Sequence, residues 1–358
     1  MIRFIGSCLV CLFVLSPASL LAQTSEELFD KLEKSAPQKR LQLLLEGAKR
    51  EGELMMYVTT SGPAIEGLLS GFHKRYPFVK TQVWREGRGA ALAERAIAEE
   101  RAGRHIADVL GGGSTALTPL KKIAALARYR SPERKYFPDD YKDNDGIWTA
   151  AFLQESIFAF NTNLADRSKL PATYFDLLDP YWKGKLVLDP LPNTFVRGSL
   201  IAYGKKKALE LFDRLLSTQE VQFRRGRTLQ TQLLAAGEFV ASPEIRLGTL
   251  RELKDKGAPV DYHYTYPTPV EIRPVAIFKS APHPHAAALL VDYWLSQEGQ
   301  EIMTQSGYTV AREGVGAESA AVKKAKLAVT IDWLEANEKE VRQISKSIFA
   351  KRAKGAKR

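Results

Sequence analysis

The stretch from Gly52 to Tyr76, GELMMYVTTSGPAIEGLLSGFHKRY, constrains this chain more than any other. Leu54 to Val58 is a short apolar run that suits a strand buried on both faces. Thr59-Thr60-Ser61-Gly62 is a small polar loop, and Pro63 stands where a first helical turn tolerates a residue without an N–H. Ile65, Leu68, Leu69, Phe72 and Tyr76 then recur on one helical face. Strand, polar loop and helix form the unit of an open α/β sheet, in which ligands bind outside the carboxyl ends of the strands. The hydroxyls and the free N–H groups at that helix start favour anionic or polar groups. A plain strand-to-helix turn would look the same, so the loop needs company before it means a site.

At 358 residues the chain is long enough for two domains and a substantial core. It opens differently from the rest. Met1-Ile2-Arg3 is basic, Phe4 to Leu15 is apolar, Ser16-Pro17-Ala18 breaks the run, and Ala22 precedes a polar Gln23. This is the pattern of a secretory signal peptide over 1–22, cleaved after Ala22. Cys8 and Cys11 both fall inside it, so the mature chain is expected to have no disulfide and no thiolate chemistry. Export without disulfides points to a bacterial periplasm. Loss of Arg3 takes the 52 Lys and Arg to 51 against 41 Asp and Glu, a net charge of +10. Part of that excess lies in Lys346, Lys351, Arg352, Lys354, Lys357 and Arg358, read as a solvated helix end. A nucleic-acid partner is not expected, because no aromatics interleave with the basic residues.

Further strand ends repeat the first pattern. Phe78 to Trp84 reads as a strand closed by Arg85-Glu86-Gly87-Arg88-Gly89, and Ile106 to Leu110 as one closed by Gly111-Gly112-Gly113-Ser114. Glycine there lets backbone amides approach a ligand. Trp148 to Asn161 is a β-prone run long enough to pass between lobes. Asn193 or Thr194 is placed to cap a helix that breaks near Gly204, and Arg224 to Thr228 leads into another helix. Phe239 to Ala241 reads as a strand, with Ser242 and Pro243 opening a helix to about Lys256. Crossings near 153–161 and 262–268 would make a hinge with a cleft between two α/β lobes.

The segments EGAKREGELMMYVTTS (46–61), Ala107-Asp108-Val109, DPYWKGK (179–185), Gly237-Glu238 and APHPHAAALLVDYWLSQEGQEIM (281–303) carry a family resemblance. In their order the chain resembles the periplasmic solute-binding proteins of ABC importers, the family that includes ferric-iron, thiamine and polyamine binders. The resemblance implies an α/β, two-lobed type II periplasmic binding protein fold with a hinge and an interlobe cleft. It also implies capture of a small-molecule solute and its delivery to an ABC permease in the inner membrane, and a monomer is expected. The expected organisation is a helical segment at 23–51, a first lobe at 52–152, a second at 153–262, and a return to the first at 263–358. Ferric binders of this family use a His in the first loop, a Glu after the Ala-Asp-Val strand and a tyrosine pair after the Gly-Glu strand. Here those places read Thr59 to Gly62, Gly111 to Ser114, and Ala241 to Glu244, so direct iron binding is not expected. Tyr262, Tyr264 and Tyr266 lie beyond the last of them and read as packing.

The expected ligand-binding residues are Thr59, Thr60, Ser61, Arg85, Arg88, Gly113 and Ser114 on one side. Asn193, Thr194, Arg225, Arg227, Thr228, Ser242 and Glu244 would face them. Arg197 is a further arginine near a helix start, and arginine there suits carboxylate or phosphate through paired hydrogen bonds. The solute is therefore read as a small organic anion, with ferric iron or an iron chelate as the alternative. A secreted hydrolase or transferase is a remote one, since the chain has no GxxxxGK[ST], HExxH or GxSxG motif. Asp139 to Gly146 resembles a calcium loop, but Tyr141 and Phe152 fall where its first and last carboxylates belong. His283-Pro284-His285 opens a helix with no carboxylate close in sequence. No metal site and no cofactor are expected.

Overall fold

A computed structural model describes residues 25–59, 62–316 and 318–355. The signal peptide read at 1–22, and Thr60 and Ser61 of the first loop, lie outside them. The strands in chain order are β1 (Glu53–Val58), β2 (Lys80–Arg85), β3 (Val109–Gly111), β4 (Thr149–Asn161), β5 (Val187–Leu188), β6 (Gln222–Phe223), β7 (Ala241–Arg246), β8 (Val260–His263), β9 (Thr268–Ile277) and β10 (Lys326–Val329). One curled sheet runs β2-β1-β3-β9-β4-β7, with β8 also on β4 and β10 also on β9. β1 is parallel to β2 and β3, whereas β9 lies antiparallel to β3 and β4.

The opening unit forms as its pattern predicts. β1 is followed by a helix at Gly62–Arg75, with Ile65, Leu68, Leu69 and Phe72 buried. The N-terminal segment gives two helices, Ser25–Glu33 and Pro37–Glu51. The second packs closely on the helix Pro284–Leu295, whose His285 ring occupies the space beside Gly47.

The two lobes are joined through β4 and β9. Residues 149–155 of β4 pair with β9 in the first lobe, and residues 156–161 pair with β7 and β8 in the second. Almost every β4 side chain is buried, in keeping with a run that is apolar apart from Thr149, Gln154, Glu155, Ser156 and Asn161. The first lobe buries Leu54, Met56, Leu68, Phe72, Val109 and Trp294 among others. The second is organised around Phe158, Phe160, Trp182, Phe195 and Phe212.

Two segments differ from expectation. Ser242 and Pro243 do not open a helix; they continue β7, and the helix starts at Leu247. Ala159 pairs with Ser242 and Ile157 with Ile245, so Pro243 and Glu244 together oppose a single β4 residue. That bulge accommodates a proline that has no N–H to give the ladder. The sequence puts the final helix, Ile331–Ile344 with its continuation to Gly355, in the return to the first lobe. Val341, Ile344 and Phe349 instead pack with Phe195 and Phe212 in the second core.

Candidate functional site

A cleft of about 460 Å³ opens between the lobes, close to the β4–β9 crossing. Five helices begin at it: Gly89–Arg101, Ser114–Lys122, Asn193–Thr218, Arg227–Ala235 and Leu247–Asp255. None of the five has a side-chain hydrogen bond to its N-cap. Away from the cleft, Ser296, Ser319 and Thr330 cap their helices in the ordinary way. Uncapped first turns leave N–H groups and the positive end of the helix dipole directed to the cleft.

Glycine brings these turns together. A Cβ on Gly89 would lie 2.4 Å from Thr115 Oγ1 and 3.1 Å from the backbone nitrogen of Ala116. A Cβ on Gly113 would lie 2.4 Å from Arg273 Nη1. The two first-lobe helix starts therefore approach closely, and the Arg273 guanidinium lies against one of them.

Four arginines converge on the same space: Arg197, Arg227, Arg246 and Arg273. Arg197, buried in the long second-lobe helix, is matched by acid: Nη1 donates to Glu271 Oε1 at 2.6 Å and Nη2 to Glu338 Oε2 at 2.7 Å. Arg227 Nη2 donates to Thr194 Oγ1 at 2.7 Å and approaches Glu244 Oε2 at 3.5 Å. Arg273 donates to the neutral amide oxygen of Gln154. Neither Arg246 nor Arg273 has an ion-pair partner among the described residues.

The charges perturb one another as this arrangement requires. Burial pushes the Glu271 carboxyl up, but Arg197, Arg273, Arg227 and Arg246 outweigh it and bring its pKa down to about 2. Arg246 stands at the cleft with its side chain in contact with water. The surrounding protein and then the like charges of Arg227 and Arg273 lower its pKa to about 10. Glu244 is wholly buried, which raises its pKa; Arg227 and the N–H of Asp189, 3.0 Å from Oε1, oppose that rise. Asp189 in turn accepts from Leu191 N and Gly226 N, each at 2.8 Å, and so shapes the loop leading to Arg227.

Of the residues expected from sequence, Thr59, Gly113 and Ser114 line the cleft from the first lobe, and Asn193, Thr194, Arg227 and Thr228 from the second. Arg85 and Arg225 are exposed and outside it. Arg88 points to solvent, 3.8 Å from Glu86. Ser242 and Glu244 are buried in β7 beneath the wall, where Glu244 acts through Arg227. Arg246, Glu271, Arg273 and Asp189 were missed. Glu271 and Arg273 carried a signal, two charges two residues apart in the otherwise apolar run TPVEIRPVAI. Arg246 was hidden by reading Ser242 and Pro243 as a helix start.

Among the described residues, no group of three His, Cys, Asp or Glu side chains is placed to hold a metal ion. Tyr262 and Tyr264 are not part of the cleft; Tyr264 donates to Glu155 Oε2 at 2.7 Å and its ring lies 5.8 Å from that of Tyr262.

Residues 113–339 match the model of a bacterial extracellular solute-binding protein. Iron uptake protein A1 of Synechocystis is 22% identical over 186 residues, which span 48% of this chain and 51% of that relative. Among solved structures, iron-bound HitA from Pseudomonas aeruginosa superposes with a TM-score of 0.68 at 22% identity, covering 82% of this chain and 99% of HitA. AfuA from Actinobacillus pleuropneumoniae, with fructose-6-phosphate bound, gives 0.64 at 24% identity over 83% of this chain and 98% of AfuA. These structures share its two-lobed fold, and with the family match covering most of the sequence, the chain belongs to the bacterial extracellular solute-binding protein family.

Proposed function

We propose that the protein captures a small organic anion in the interlobe cleft and delivers it to an ABC permease, acting as a periplasmic monomer without catalysis. The observation that carries this reading is the pair of arginines, Arg246 and Arg273, facing the cleft with no ion-pair partner among the described residues, the acid that acts on both, Glu271, being bonded to Arg197. Four guanidinium groups gathered on one cleft repel one another, and an arriving anion relieves that repulsion. The five uncapped helix starts add backbone donors of the same polarity.

A thermal-shift screen over phosphorylated compounds, hydroxy acids, polyamines, thiamine and ferric salts tests it. A solute at a hundredfold excess over its Kd stabilises by about 2.7 kcal/mol. Stabilisation by organic anions, lost in Arg246→Ala, is the expected result. Stabilisation by polyamines or thiamine in place of anions sinks the reading.

The names of the iron-binding relatives support a second reading, in which an anionic chelator supplies the metal ligands that this cleft lacks. Metal analysis of protein isolated from periplasm, with and without added citrate, separates the two. Iron retained in citrate-dependent stoichiometry favours the chelate.

A further inference from the structure

The charge pairing in the cleft bears on which anion fits, an inference that rests on the anion-capture reading above. Arg197 is held by Glu271 and Glu338, and Arg227 by Glu244, which leaves Arg246 and Arg273 as the cleft arginines without an ion-pair partner among the described residues, with Glu271 acting on both from beyond ion-pair distance. A single carboxylate or a sulfate ester brings one negative charge to this pair. A phosphate monoester carries a charge approaching −2 at neutral pH, so two guanidinium groups attract it more strongly than a monoanion of the same shape. Its oxygens also suit the donors on offer, two guanidinium groups and the free first-turn N–H groups near Gly113 and Gly226. Glu271 adds a different preference. Its Oε1 accepts from Arg197 and from Thr194 Oγ1 at 3.3 Å, while Oε2 has no hydrogen-bond partner among the described residues. An ionised carboxylate accepts only, so it rejects a second anion and takes a hydroxyl donor.

We infer that the cleft takes a phosphate monoester of a hydroxylated carbon skeleton, its doubly charged phosphoryl group between Arg246 and Arg273 and a hydroxyl of the same molecule on Glu271. Arg246 and Arg273 set the charge that is accepted. Glu271 distinguishes the ester from free phosphate.

Calorimetry with glucose 6-phosphate, glucose 6-sulfate, gluconate and inorganic phosphate tests this, because the first two differ in charge at nearly the same shape. Glucose 6-phosphate should bind at least about tenfold more tightly than each of the other three. Arg246→Gln and Arg273→Gln should each collapse the phosphate-to-sulfate ratio, and Arg246→Lys should keep most of it. Glucose 6-sulfate or gluconate binding as tightly as the phosphate overturns the dianion, while leaving capture of an organic anion intact. Inorganic phosphate binding as tightly overturns the ester and the role of Glu271. Binding of none of the four overturns this inference; it overturns anion capture as well only where the broad screen also finds no anion.

Discussion

The carboxylate of Asp108 holds His283 twice, accepting its backbone N–H at Oδ1 (2.7 Å) and its ring Nδ1 at Oδ2 (2.9 Å). Oδ2 also accepts from Met55 N at 2.7 Å. One wholly buried acid thus ties the approach to β3, the strand β1 and the start of the helix Pro284–Leu295 together. The hydrogen bond that the imidazolium donates to Asp108 raises the His283 pKa, against the opposing effect of burial. A raised folded-state pKa gives stability that is complete below the unfolded value, about 6.5, and lost as pH rises through the folded value. Between pH 6 and pH 9 the wild type should therefore lose more Tm than His283→Gln. Equal losses would remove the imidazolium from the account.

Glu271 behaves in the opposite sense. Its folded pKa of about 2 lies below the ordinary value for a glutamate, about 4.3. The stability it contributes is present above the ordinary value and lost as pH falls toward the folded one. Urea unfolding from pH 5 down to pH 2.5 should show a steeper loss for the wild type than for Glu271→Gln. Parallel curves would mean that the four arginines do not act on this carboxylate.

Gly113→Ala separates stability from binding. Its φ of −87° is ordinary for alanine, so the backbone bears no strain. The added methyl meets the guanidinium end of Arg273 and displaces it from the helix start. The Tm should stay within about 3 °C of the wild type, and affinity for the captured anion should fall about tenfold. Unchanged affinity would show that Arg273 does not need its place beside Gly113.

Lys326→Met tests the network behind the hinge. Lys326 pairs with Glu155 and with Glu318, and Tyr264 donates to Glu155. Glu155 has no exposed side-chain surface, so removing its cation leaves a buried charge with only the Tyr264 hydroxyl against it. The cost should be about 3 kcal/mol by chemical denaturation. Replacing Glu155 and Lys326 together by Gln and Met should cost less than Lys326→Met alone, and a larger cost would contradict the pairing.

Much of the architecture was legible because it rests on local patterns. The apolar run Leu54–Val58, the helical face from Ile65 to Phe72, the long β4 and the break at Gly204 each follow from neighbours within a few residues. Ser242-Pro243 misled for the same reason. A serine before a proline looks locally like a helix start, and the β4 strand that makes it a bulge lies far away in sequence.

The sequence by itself determined the two-lobed α/β class, the polarity of the cleft loops and the lack of the family's iron-ligand pattern, because residue type and periodicity are local properties. Only the tertiary structure decided which arginines share the cleft. Arg85, Arg225 and Arg246 are alike as residues beside loops or helix starts, yet Arg246 faces the cleft and the other two face solvent. Which cations lack a partner depends on distances across the chain, Arg197 to Glu271 and Glu338 above all. Charge matching is a property of three-dimensional neighbours, and spacing along the chain does not encode it.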